Sequence, residues 1–132
     1  EAVDATNGRM GYVRGSHRWA MHAPNMFVSQ ATGPSHGLAQ LPDIEGHESD
    51  YDIVYFDVEP GDVIVHDYRT AHGSRGNISA DRARRAIAIR YGGDDVTYLD
   101  RPSARGEFPT DSEVADGDPL DSPTFPVVWR RS

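Results

Sequence analysis

His72 and Arg84 are the residues from which a chemistry can be argued. His72 lies in the run Thr70-Ala71-His72-Gly73-Ser74-Arg75-Gly76-Asn77, and Arg84 follows twelve residues later at the head of an apolar alternation. A neutral imidazole is a common ligand of borderline divalent metals. Gly73 beside it lets the backbone turn sharply or approach closely. An arginine on an inward strand face needs an anion, and its planar fork matches a carboxylate. If the flanking elements are neighbours, His72 and Arg84 face one cavity. A metal ligand beside a carboxylate anchor would hold a chelating 2-oxo acid. The plainer reading is a histidine capping a surface turn and an arginine facing solvent, and spacing alone leaves both open.

The elements that must position these residues read as strands. Residues 9–13 form a short strand entering a turn at Arg14-Gly15-Ser16. Residues 17–50 lack a helical period and are rich in Gly, Pro, His, Ser and Asn, which predicts a long connection of the kind that often serves as a lid. Ile53-Val54-Tyr55-Phe56-Asp57-Val58 alternates with period two, Glu59-Pro60-Gly61-Asp62 is a strong turn, and Val63-Ile64-Val65-His66 resumes the strand. Residues 84–91 give a third strand, with Ile87 and Ile89 on one face and Arg84, Ala86, Ala88 and Arg90 on the other. Val96-Thr97-Tyr98-Leu99 is a shorter fourth. Beyond it Pro102, Pro109, Pro119, Pro123 and Pro126 forbid a continuous helix or central strand. This predicts an extended tail over 101–132, anchored by Phe125, Val127, Val128 and Trp129. The class is all-β, a sandwich or barrel.

Composition narrows the partners. The chain has 132 residues, room for one modest domain, and apolar residues are 37% of it, so its core is thin. A net charge of −8 argues against a nucleic-acid backbone and against an anionic membrane surface. There is no cysteine, which excludes a thiolate metal site and fits a cytoplasmic setting.

Three ordered segments carry a family resemblance. His72-Gly73-Ser74-Arg75-Gly76-Asn77-Ile78-Ser79, followed by Arg84-Arg85-Ala86-Ile87, resembles a signature of the phytanoyl-CoA dioxygenase family. Asn7-Gly8-Arg9-Met10-Gly11-Tyr12-Val13-Arg14-Gly15-Ser16-His17-Arg18 resembles the family's segment of Asn-Gly, a short strand, then Pro-Gly-Ser-His-Arg. Gly61-Asp62-Val63-Ile64-Val65-His66 resembles the strand that precedes the distal histidine. The resemblance implies a double-stranded β-helix (jelly roll, cupin-like) over residues 1–100. It also implies an Fe(II)- and 2-oxoglutarate-dependent oxygenase acting on a small-molecule substrate. His72 then matches the distal metal ligand. Arg84 matches the arginine that holds the far carboxylate of 2-oxoglutarate, with Arg82 and Arg85 as alternatives, and Ser74 and Asn77 shape the turn around the site.

One departure matters. The family's remaining ligands come as His-x-Asp, upstream of the Asn-Gly segment, and no His-x-Asp or His-x-Glu occurs in this sequence. The expectation is the C-terminal part of a longer oxygenase domain. A part-barrel exposes strand edges, which favours pairing between copies. Hydroxylase and halogenase chemistry are not distinguished, because the ligand that separates them belongs to the absent motif. The alternatives are a metal-free jelly-roll binding module and another cupin-type metalloenzyme. His66 is expected against the barrel wall, with a place near the site as the alternative, His17 in the loop, and His47-Glu48-Ser49-Asp50 in solvent. Trp19, Met26 and Phe27 are candidates for the substrate side.

Overall fold

The computed structural model describes residues 1–23, 37–100, 111 and 113–130. Five short strands are present among them: β1 (Met10–Val13), β2 (His22–Ala23), β3 (Ala39–Gln40), β4 (Ile53–Tyr55) and β5 (His72–Ser74). The helical content is two 3-10 turns, Ser16–Arg18 and Glu45–Asp50. The described chain is therefore β-rich, with small sheets. It divides into two units, Glu1–Ile87 and Ala88–Ser132.

In the first unit β1 is the central strand of an antiparallel sheet ordered β4-β1-β5. Its burial alternates, with Gly11 and Val13 buried and Met10 and Tyr12 half-buried, as a pleated strand with one covered face requires. Gly11 is needed there: a Cβ would lie 2.6 Å from the Tyr55 ring. The sheet is extended by an isolated bridge between Val3 and Val58, closed by two backbone hydrogen bonds of 2.8 and 3.0 Å. β2 and β3 form a separate parallel pair. The buried apolar side chains of this unit are Val3, Val13 and Ala23, and buried Asn7 and Ser16 join them. This core is as thin as the composition suggests.

The Glu59-Pro60-Gly61-Asp62 turn forms as the sequence requires. Asp62 N–H donates to Glu59 O, the Asp62 carboxylate accepts from Glu59 N–H, and Gly61 takes φ of 103°. The strands expected on either side fare differently. The first stops at Tyr55, and residues 63–66 and 84–91 form no strand. Their apolar side chains stand in solvent, with Val65 88% and Ile87 90% exposed. A strand is held by the ladder to its neighbour, and no described residue supplies that ladder here.

In the second unit Thr97 bridges Pro119, and Tyr98 is buried against Phe125 at 5.7 Å between ring centres. Phe125 thus packs within this unit, while Val127, Val128 and Trp129 are exposed. The central part of the 17–50 connection, with Met26 and Phe27, lies outside the described residues.

Candidate functional site

The pairing register of β1 builds the site. Tyr12 lies directly opposite His72 on β5 and Val54 on β4, so these side chains share one face of the sheet. The Tyr12 and His72 rings stack at 5.8 Å with 19° between their planes. His66 joins them, 4.7 Å from the His72 ring and 5.1 Å from Tyr12, and Phe56 lies 6.1 Å from Tyr12. A turn returns the chain between the two histidines: Thr70 N–H donates to Asp67 O at 2.9 Å. Arg69 holds the Asp67 carboxylate within that turn, which lowers its pKa through the Arg69 backbone N–H first and the guanidinium second.

Both imidazoles are oriented by carbonyl oxygens. His72 Nδ1–H donates to Thr70 O at 2.7 Å, and His66 Nδ1–H donates to Asp67 O at 2.9 Å. A carbonyl only accepts, so the proton sits on Nδ1 and the Nε2 lone pair is left for a metal. Burial pushes the Tyr12 phenol up, and the positive charge of Arg84 opposes it.

The segments around His72 are pinned from both sides. Ala71, just before it, donates its N–H to the buried Ser16 hydroxyl at 2.8 Å and accepts Val13 N–H at 2.9 Å. Ser16 Oγ–H in turn donates to Val13 O at 2.7 Å. Just after it, Ser74 Oγ–H donates to Gly8 O at 2.9 Å, and the same oxygen accepts Gly76 N–H. Asn77 Nδ2–H donates to Arg82 O at 2.6 Å, while Asn77 Oδ1 accepts Ser79 N–H. Arg82 reaches back to both Asp4 oxygens, at 2.9 and 3.0 Å, and to the Thr6 hydroxyl.

Those contacts join the N-terminal Asn-Gly-strand-Gly-Ser segment to the histidine segment. The family model of phytanoyl-CoA dioxygenase matches residues 1–86, a span that contains both. The chain belongs to the phytanoyl-CoA dioxygenase family. No curated protein and no solved structure matches it. Membership of this family sets the chain among dioxygenase-type oxidoreductases at the family level.

His72, Ser74, Asn77 and Arg84 all lie inside the span matched to the phytanoyl-CoA dioxygenase family. His72 stacks on Tyr12, whereas Arg84 acts on that phenol only through its charge. Ser74 and Asn77 hydrogen-bond to backbone and shape the turn. Of the three candidate arginines, Arg82 is committed to Asp4, while Arg84 and Arg85 are exposed. His66 stands beside His72 instead of against a wall. His47, Ser49 and Asp50 are exposed as expected, but Glu48 is half-buried: it pairs with Arg75 and accepts from the Tyr55 hydroxyl. Trp19 packs on Tyr51 at 6.0 Å. The sequence reading missed Tyr12 and the cross-chain reach of Ser16. The Tyr12 signal was its place in the middle of β1, on the face opposite Gly11 and Val13.

Proposed function

We propose that this chain carries the distal histidine and the 2-oxoglutarate anchor of an Fe(II)- and 2-oxoglutarate-dependent oxygenase. Its substrate is a small molecule, and its complete fold is a jelly roll of which residues 1–100 are part, followed by the 101–132 tail. The observation that supports this reading is the family match over residues 1–86, with His72 and Arg84 inside it. The donor set fits one position of the iron site: His72 offers Nε2 with its tautomer fixed by Thr70 O. Among the described residues no group of three or more His, Cys, Asp or Glu gathers, so a complete three-ligand set is not assembled among them.

Bound iron with 2-oxoglutarate supplies oxidative C–H chemistry driven by dioxygen and the decarboxylation of the 2-oxo acid. The chain's own residues orient that centre. His72 is held in plane by Tyr12 and by Thr70 O. Arg84 offers a forked donor to the far carboxylate, and Ser74 and Asn77 fix the turn between the two.

Anaerobic titration with Fe(II) and 2-oxoglutarate, followed through the visible charge-transfer band of the chelate, tests the reading. A saturable band is expected from this chain or from one extended upstream to include a His-x-Asp. Absence from both overturns the proposal. Arg84→Ala removes a charge-assisted pair of about 1.5–3 kcal/mol, so the 2-oxoglutarate Kd rises roughly 10–100-fold. An unchanged Kd removes Arg84 from the site.

A further inference from the structure

We propose that His66 and His72 form a two-imidazole site for a borderline divalent transition metal such as Zn(II) or Co(II). The inference rests on the reading of His72 as a metal ligand and adds His66 to it. Three observations carry it.

The spacing admits two ligands on one ion. Imidazoles bound at about 2.1 Å through one nitrogen have ring centres roughly 4.5–5.2 Å apart, for ligand angles between a right angle and the tetrahedral value. The His66 and His72 ring centres are 4.7 Å apart, with 55° between planes. The tautomers are those that ligation needs. Each ring donates Nδ1–H to a backbone carbonyl, at 2.9 and 2.7 Å, and each leaves Nε2 as the free donor atom. The pair is also supported and accessible. Tyr12 packs on both rings, the Asp67–Thr70 turn sets their separation, and both histidines are exposed.

The site is bidentate in this chain. Asp67, the nearest acid in sequence, is held by Arg69 through its backbone N–H and its guanidinium. Water or an oxygen-donor chelate completes the shell.

The test is Co(II) titration of the whole chain and of the His66→Gln, His72→Gln and His47→Gln variants, read by visible absorption. His47 is an exposed imidazole on another segment and serves as the control. The expected result is saturable binding in the wild type, a Kd raised at least tenfold in each of the His66 and His72 variants, and no change in the His47 variant. If His72→Gln weakens binding and His66→Gln does not, the His72 reading survives and the two-imidazole site falls. If neither weakens it, or the wild type binds no Co(II), the two-imidazole site falls, and the His72 reading is decided separately by the Fe(II) and 2-oxoglutarate titration. Imidazole 15N shifts on Zn(II) addition give a readout on the unmodified chain. Movement of Nε2 in both His66 and His72 supports the site, and movement in His72 alone overturns it.

Discussion

Replacing Ser16 by alanine removes one oxygen that serves two strands. The Ser16 hydroxyl is 3% exposed, donates to Val13 O at 2.7 Å and accepts Ala71 N–H at 2.8 Å. Without it a half-buried donor and a buried acceptor lose their partner. A net hydrogen bond contributes about 1 kcal/mol, and a stranded buried group costs about 1–3 kcal/mol, so Ser16→Ala should destabilise by roughly 2–3 kcal/mol. For the Glu1–Ile87 unit the unfolding entropy is about 0.18 kcal/mol/K, so its melting temperature should fall by roughly 10–15 °C. Thermal unfolding followed by circular dichroism measures the drop. Amide exchange at Ala71 measures the local effect, because its N–H loses its acceptor while Val13 N–H keeps Ala71 O. A fall of less than about 3 °C, or an Ala71 amide that exchanges no faster than in the wild type, refutes the assignment of Ser16 as the tie behind His72.

Gly11→Ala places a Cβ 2.6 Å from the Tyr55 ring, which is itself held beneath Arg9 and bonded to Glu48. Crowding of this kind costs about 1–3 kcal/mol, and a urea midpoint equal to that of the wild type would contradict it. The Asp4 carboxyl lies well below the usual carboxylate range because the Thr6 hydroxyl, the Thr6 N–H and Arg82 all donate to it. A depressed folded pKa stabilises fully above the unfolded value near about 3.9, and that contribution is lost as pH falls from there toward the folded value. Asp4→Asn should therefore melt earlier than the wild type at neutral pH, and the gap should narrow steadily from about pH 4 down to pH 2. A gap that is constant across that range removes the charge from the explanation.

Where a local rule was enough, the sequence was readable. Pro60 and Gly61 dictate a turn whatever surrounds them, and the Met10–Val13 alternation survives as β1. His72 and Arg84 were visible because their neighbours carry a family pattern. Residues 63–66 and 84–91 show the limit of local reading. Their alternation is that of strands, but a strand is completed by a ladder from another segment, and pattern alone does not supply one. For His66 the choice between the wall and the site is open in the sequence for a related reason: its proximity to His72 depends on how tightly the Asp67–Thr70 turn folds back. Arg82 could be separated from Arg84 only once Asp4 was seen to hold it.

The sheet around β1 also constrains when it can form. The contacts that tie the segments flanking β1 to the rest of the unit span much of the chain: Ala71 to Ser16 bridges 55 residues, Ser74 to Gly8 bridges 66, and Arg82 to Asp4 bridges 78. On the ribosome β1 is therefore made long before anything it pairs with, and it waits with both edges bare. Loop closure of this length is paid before any pairing rewards it, which places the folding of this unit in the slow, millisecond-to-second regime of non-local β topologies. The Arg82–Asp4 pair joins the last-made part of the unit to the first, so it closes late. Mutations there should speed unfolding while leaving the folding rate almost untouched.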